Sequence, residues 1–262
     1  MPPIERPVPG WFCWIELNTT DQAAAKRFYT GLLGWETRDT PIAPGEVYTI
    51  FELQGGQAGA AFSMNQEMRA QTVPPFWGLY VAVASADAAA RRAQELGGTV
   101  VAPAFDVMDR GRMAVLRDPT GAVFSVWEAN RQTGLSASGD GTFCWADCST
   151  PDPAKASAFY SGLFGWTLTT SARDSSGYLH IKNGEQFIGG IPPAAYRQPG
   201  EPPHWLIWFA VANCDDRVKA ALTAGAKTLM PPTTMERVGR LAVLADPQGA
   251  AFGLITPAPG VM

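Results

Sequence analysis

Residues 11–35 read WFCWIELNTTDQAAAKRFYTGLLGW, and this stretch decides the fold. Residues 11–18 are rich in aromatic and β-branched side chains, which predicts a strand. Thr20 or Asp21 then caps a helix whose apolar residues recur at helical spacing. Gly34 follows the helix, where a glycine ends it and a second strand begins.

The same pattern returns in residues 141–166, GTFCWADCSTPDPAKASAFYSGLFGW. A second block is also shared, because GRMAVLRDPTGAVF at 111–124 matches GRLAVLADPQGAAF at 239–252. Two blocks repeated in the same order indicate tandem homologous units. We therefore predict two domains, residues 10–130 and 140–257, with a polar linker around the junction.

The order of these motifs resembles the vicinal oxygen chelate superfamily, which includes glyoxalase I, bleomycin-resistance proteins and extradiol dioxygenases. The carrying motifs are the strand, the capping Asp, the helix with FY, the LGW or FGW that follows it, and the later DPxGAxF. The FCW opening and the STPD to FYSGLFGW segment look most like two-domain, glyoxalase-like proteins loosely labelled hydroxylases. The resemblance implies an α+β fold of four βαβββ modules, two per domain, with curved sheets around a cleft.

Composition narrows the function classes. The chain has 262 residues, a net charge of −4 and 46% hydrophobic residues, which is typical of a globular protein. An acidic chain without a Lys/Arg cluster argues against nucleic acid as a partner. Residues 1–10 lack the apolar segment of a signal peptide, and no apolar run is long enough to cross a membrane. Four cysteines without CxxC spacing favour a reduced, cytoplasmic protein.

Strand alternation predicts which side chains face the cleft of each domain. In residues 11–18, the row Cys13, Ile15 and Leu17 is expected to pack on the helix, which leaves the other row facing the cleft. The same rule applies to residues 76–83, 122–128 and the equivalent strands of the second domain. The predicted ligand-binding residues are Phe12, Trp14, Phe76, Tyr80, Ser125 and Trp127 in the first domain and Phe143, Trp145 and Trp208 in the second.

The resemblance also implies where a metal would be held. Carried onto this sequence, the ligand positions are Trp14, Gly78 and Ser125 in the first domain and Trp145, Leu206 and Gly253 in the second. None of them is His, Glu or Gln, whereas a divalent metal needs three or four converging N or O donors. We therefore predict neither a metal nor another cofactor.

Three residues are candidates for acid–base chemistry. Glu16 and Asp147 hold equivalent positions in the two repeats, and a carboxylate on an apolar wall is expected to have a raised pKa. His204 is predicted to face the second cleft, where Asp147 could approach it to form a general base or a weak metal site. The alternative for His204 is a hydrogen-bonded histidine at the start of a strand. His180 is interpreted as structural or surface-exposed.

Three functions remain open on the sequence. The favoured one is a metal-free protein that binds an aromatic or polyketide-like metabolite or antibiotic, because aromatic faces stack on flat ligands. The second is a metal-independent isomerase, lyase or hydroxylase component that uses Glu16, Asp147 or His204. The third is a residual glyoxalase with a metal at His204. The expected partner is a small aromatic ligand, with no nucleic acid or membrane, in a monomer whose fused domains mimic a dimer or in a homodimer.

Overall fold

The computed structural model describes residues 7–170 and 176–260. Residues 1–6, which belong to the segment 1–10 predicted not to be a signal peptide, lie outside this range. The first eight strands are β1 (Phe12–Thr19), β2 (Glu36–Ala43), β3 (Glu46–Leu53), β4 (Gly56–Ser63), β5 (Phe76–Ala82), β6 (Thr99–Val107), β7 (Gly111–Arg117) and β8 (Val123–Ala129). The next eight are β9 (Thr142–Ser149), β10 (Thr167–Thr170), β11 (Leu179–Asn183), β12 (Gln186–Ile191), β13 (His204–Ala210), β14 (Lys227–Met235), β15 (Gly239–Ala245) and β16 (Ala251–Pro257).

The strands form two sheets of the same topology. The first sheet has the order β2-β3-β4-β1-β5-β8-β7-β6, and the second has β10-β11-β12-β9-β13-β16-β15-β14. The helices are α1 (Gln22–Leu33), α2 (Gln66–Ala70), α3 (Ala86–Glu95), α4 (Pro153–Phe164) and α5 (Cys214–Thr223). This arrangement confirms the predicted α+β fold of tandem βαβββ modules. Within the described ranges, every helix is too short or too polar to cross a membrane.

The caps of the first helix of each repeat follow from the sequence. Asp21 is the cap of α1, and its side chain accepts a hydrogen bond of 2.9 Å from the backbone N–H of Ala24. Asp152 caps α4 in the same way. Gly34 and Gly165 end these helices with φ of +71° and +73°, a left-handed conformation that glycine adopts without steric cost.

Two edge strands of the structure were not predicted from the sequence. The sequence pattern assigns no strand to β6 or β14, which contain Pro103 and the pair Pro231–Pro232. Both strands lie at a sheet edge, and their pairing shifts register close to the prolines. Proline is tolerated at edges and bulges because no ladder hydrogen bond from its nitrogen is needed there.

One continuous core joins the two halves of the chain. The hydroxyl of Tyr29 on α1 donates to Asp246 at 3.1 Å in the second half, and Tyr160 on α4 donates to Asp118 at 3.0 Å in the first. Each aspartate also accepts backbone N–H groups of its own DPxG turn. The FY and DPxG motifs therefore hold the two halves together as a matched pair of contacts.

Candidate functional site

One face of each sheet packs in the core that joins the halves, and the opposite face carries a separate apolar cluster. There is one such cluster on the first sheet and one on the second. Each of these faces contains one carboxylate, and we define a cleft on each face by the side chains around that carboxylate. The N-terminal cleft is defined by Trp14, Glu16, Tyr48, Tyr80 and Trp127. The C-terminal cleft is defined by Trp145, Asp147, Tyr178, Leu206 and Trp208.

In the N-terminal cleft, Glu16 on β1 lies between two phenols. The Tyr48 hydroxyl donates to Glu16 Oε2 at 2.7 Å, and the Tyr80 hydroxyl donates to Oε1 at 3.1 Å. The indole of Trp14 donates in turn to the Tyr48 oxygen at 3.0 Å. Such a chain polarises each of its members, so the carboxylate and the phenols act as one hydrogen-bonded unit.

In the C-terminal cleft, Asp147 on β9 is 9% exposed and accepts three side-chain donors. Tyr178 donates to Oδ1 at 2.5 Å and Trp145 to the same oxygen at 3.1 Å, while Trp208 donates to Oδ2 at 2.9 Å. The ring of Trp208 lies directly on Gly253, where a Cβ would overlap it. The aspartate is thus enclosed by rings that also fill the space around it.

Burial is the main influence on both carboxyl groups. It raises the pKa of Glu16, and the hydrogen bonds from Tyr48 and Tyr80 oppose the shift. It raises the pKa of Asp147 as well, against the hydrogen bonds from its three donors. Burial and the nearby Glu16 charge raise the pKa values of the Tyr48 and Tyr80 phenols well above their ordinary value. Each cleft therefore has a carboxyl group that accepts a proton more readily than one in water.

The predicted cleft orientation is wrong for Phe12 and Phe143. Both lie in the core that joins the halves, and their rings meet edge to face with centroids 6.2 Å apart. The register of β1 against β5 shifts between Phe12 and Trp14, and the register of β9 against β13 shifts at the equivalent place. Cys13 and Cys144 are the extra residues, so strict alternation fails and the phenylalanines turn to the opposite face.

The other predicted residues of the first domain lie on the N-terminal cleft face. Along β5, Phe76 and Tyr80 alternate with core residues and pair with Asn18 and Trp14 of β1. Ser125 on β8 is buried opposite Tyr80, and Trp127 lies two residues beyond it. Trp145 and Trp208 likewise pack in the apolar cluster of the C-terminal cleft.

The predicted approach of Asp147 to His204 does not occur. His204 Nδ1 lies 3.0 Å from the carbonyl oxygen of Pro202 and 3.5 Å from Glu201 Oε1. It begins β13 opposite Ser149, whereas Leu206 is the residue opposite Asp147. His204 therefore fits the structural interpretation. His180 packs edge to face against Tyr178 and Phe187, consistent with a structural role.

The residues at the implied metal positions do not fit a divalent metal. Of Trp14, Gly78 and Ser125, only the last offers an oxygen donor, and in the second domain the Trp208 ring covers the position of Gly253. In residues 7–170 and 176–260, no group of three or more His, Cys, Asp and Glu side chains is arranged to hold a metal ion.

Two residues of the site are not among those predicted from the sequence. Tyr48 and Tyr178 donate the shortest hydrogen bonds to Glu16 and Asp147. The repeat contains a signal for them, because one offset of 130 residues aligns both Ile50 with His180 and Tyr48 with Tyr178. Tyr48 lies on β3 and Tyr178 just before β11, outside the strands on which alternation predicted the cleft residues.

Comparison with known proteins identifies the family. Residues 11–126 match the model of the glyoxalase/bleomycin resistance protein/dioxygenase superfamily, and residues 145–255 match that of the glyoxalase-like domain. The chain is 40% identical over 253 residues to the putative glyoxylase CFP32 of Mycobacterium tuberculosis, with 94% of each chain covered. It is 32% identical over 268 residues to the anthracycline biosynthesis protein DnrV of Streptomyces peucetius, covering 96% of this chain and 95% of the relative.

Solved structures show the same fold at low sequence identity. The Mn(II)-bound glyoxalase from Novosphingobium aromaticivorans superposes with a TM-score of 0.63 at 15% identity, covering 97% of this chain and 89% of that one. An extradiol ring-cleaving dioxygenase from B. fuscum gives a TM-score of 0.65 at 15% identity, with 100% of this chain and 77% of that one covered. With a family match in each half and these full-length relatives, the chain belongs to the glyoxalase/bleomycin resistance protein/dioxygenase superfamily, as its motifs indicated.

Proposed function

We propose that this protein binds a planar aromatic, polyketide-like small molecule through its cleft and does so without a metal. The observation that carries the proposal is the half-buried carboxylate of Glu16 among aromatic rings, at the part of the fold where the family resemblance implies a metal. Aromatic faces bury a large area of a flat ligand, and a few polar groups fix its orientation. In the N-terminal cleft those roles fall to Trp14, Tyr80 and Trp127 for stacking and to Glu16 for polar recognition.

The relatives support the chemical class of the ligand. DnrV is named for anthracycline biosynthesis, and anthracyclines are flat, hydroxylated aromatic polyketides. A protein that holds such a molecule would serve sequestration, resistance or a biosynthetic accessory role. Recognition by stacking and hydrogen bonding needs only the residues already described.

The test is a tryptophan-fluorescence titration with 1,4-dihydroxyanthraquinone-2-sulfonate, a soluble flat probe, beside elemental analysis for metal. We expect saturable quenching that survives a chelator and that weakens in Trp14→Ala. Leu222→Ala is the control, because Leu222 is exposed on α5, a helix that packs on the other face of its sheet. Stoichiometric metal, or the absence of saturable binding, would contradict the proposal.

A second candidate function rests on the raised pKa of Glu16 and its contacts with two phenols. A carboxyl group that accepts a proton more readily than one in water suits general acid–base catalysis, as in a metal-independent isomerase or lyase. Under that function Glu16→Gln abolishes turnover of the bound compound while binding persists. Chelator-sensitive turnover of methylglyoxal would instead indicate a glyoxalase, the activity for which CFP32 is named.

A further inference from the structure

We propose that only the N-terminal cleft takes the ligand, and that a hydroxyl group of the ligand is recognised there by Glu16 and Tyr80. The inference deepens the proposed function and rests on it. It assigns the C-terminal cleft a structural role, in which Asp147 is the anchor for the rings that fill it. Three differences between equivalent positions carry the argument.

The first difference is the space beside the carboxylate. Gly78 stands opposite Glu16 across the β1–β5 pair, and Leu206 stands opposite Asp147 across the β9–β13 pair. A Cβ built at Gly78 would meet its nearest neighbours, including Phe76 and Asn18, at 3.5–3.7 Å, which is ordinary van der Waals separation. The N-terminal cleft thus has no side chain at the place where the C-terminal cleft holds a leucine, and a Cβ fits there without a clash.

The second difference is at the neighbouring strand. Ser125 of β8 presents a hydroxyl beside Tyr80, whereas the equivalent Gly253 of β16 is covered by the Trp208 ring. Tyr178 likewise lies on Gly190, where a Cβ would overlap its hydroxyl. Glycines of the C-terminal cleft therefore make room for its own aromatic rings. The N-terminal cleft has the hydroxyl of Ser125 at the position equivalent to Gly253.

The third difference is in the hydrogen-bond partners. Two of the three donors to Asp147 are indoles, which can donate a hydrogen bond but not accept one. Both hydroxyl donors to Glu16 are phenols, which donate and accept. An incoming hydroxyl group can therefore donate to Glu16 or to the Tyr80 oxygen while both phenols keep their hydrogen bonds to Glu16. Trp145 also donates to the Tyr178 hydroxyl at 2.8 Å, as Trp14 does to Tyr48, so the distinguishing donor is Trp208. A ligand at Asp147 Oδ2 would have to displace the Trp208 indole, whose N–H has its partner there.

These differences define the ligand by its chemistry. It is flat and aromatic, because it lies among the rings of Trp14, Tyr80 and Trp127. It carries a phenolic or enolic hydroxyl group at its edge, because Glu16 accepts hydrogen bonds from hydroxyl groups there and the Tyr80 hydroxyl can also accept one. A polycycle without that hydroxyl group would lose the contact with Glu16 and keep only stacking.

The experiment is isothermal titration of the full chain with 1,4-dihydroxyanthraquinone-2-sulfonate and with anthraquinone-2-sulfonate, which lacks the hydroxyl groups. We expect one site per chain and weaker binding of the second probe. Gly78→Leu copies the C-terminal residue into the N-terminal cleft, and we expect a loss of affinity of at least about tenfold. Leu206→Ala, its matched control, is expected to leave the dissociation constant unchanged.

A second pair of variants tests the hydroxyl contact. Glu16→Gln and Tyr80→Phe should each weaken binding of the dihydroxy probe by about tenfold, the effect of one good hydrogen bond. They should bind both probes with similar affinity, and thermal unfolding checks that each is folded. Asp147→Asn should retain wild-type affinity.

Two sites per chain, or loss of binding in Leu206→Ala and Asp147→Asn but not in Gly78→Leu, would overturn the inference and leave the proposed function standing. If the wild-type protein binds neither probe, the proposed function fails and this inference fails with it.

Discussion

Gly78 of the N-terminal cleft and Leu206 of the C-terminal cleft occupy equivalent positions, opposite Glu16 and Asp147. At the junction of the two halves, equivalent positions carry the same chemistry instead, because Tyr29 and Tyr160 each bind an aspartate of the other half. A duplicated chain can vary one face of each sheet freely while the other face must still fit its partner. The clefts are therefore where we expect the two halves of this protein to differ in function.

The boundary between core and cleft is tested most strongly at Phe12. Its ring contacts those of Phe143, Trp166 and Trp205, and its side chain is 1% exposed. Phe12→Ala should lower the free energy of unfolding by about 3–5 kcal/mol, the usual cost of a cavity of this size in a core. Urea denaturation measures the change, with the cleft-face variant Phe76→Ala as control. Equal, small effects of the two variants would mean that Phe12 faces the cleft after all.

Phe12 also shows what the sequence could and could not predict. The repeat and the motif order predicted both sheets apart from the edge strands β6 and β14, together with the helix that follows the first strand of each module, because local patterns and turn residues specify those elements. A bulge inserts one residue at Cys13, and no local pattern marks it. The hydrogen bond between Tyr29 and Asp246 could not be predicted from the sequence either, because it depends on how the two halves pack. The carboxylates were predicted from equivalent positions, and Tyr48 was found only through its contact with Glu16.

The next largest effect separates the two carboxyl groups. Asp147→Asn replaces an acceptor of three donors by an amide that presents an N–H₂ group to some of them. We expect the free energy of unfolding to fall by about 2–3 kcal/mol, because buried donors lose their partner. Glu16→Gln should cost less, about 1 kcal/mol, since phenols can reorient and accept from the new amide. Urea denaturation of both variants tests this order, and a larger loss for Glu16→Gln would contradict the structural role of Asp147.

The matched contacts at the junction should give matched effects. Tyr29→Phe and Tyr160→Phe each remove a hydroxyl that donates to an aspartate and accepts from a tryptophan, Trp77 or Trp205. Each variant should lower the free energy of unfolding by about 1–2 kcal/mol. Both should unfold in one transition if the shared core makes the halves a single cooperative unit, as calorimetry can show. Clearly unequal losses would show that the two junction contacts are not equivalent. Separate transitions in the wild type would show that the two halves do not unfold as one cooperative unit.

The smallest expected effect is on the pH dependence of stability. Burial raises the pKa of Asp147 in the folded state, so the folded chain holds that proton at pH values where the unfolded chain has released it. The stabilisation is complete below the ordinary pKa of aspartate, about 4, and is lost as the pH rises through the raised value. Asp147→Asn lacks this contribution, so its deficit relative to wild type should be largest at low pH and shrink toward neutrality.

Urea denaturation at several pH values between about 4 and 7 measures this trend, with Asp152→Asn as a control at a solvent-exposed helix cap. The control makes the same Asp-to-Asn change at a carboxylate that lies in solvent, away from the buried groups of the C-terminal cleft. A deficit of Asp147→Asn that is constant across this range would mean that the indole and phenol donors stabilise the charged carboxylate as much as burial opposes it.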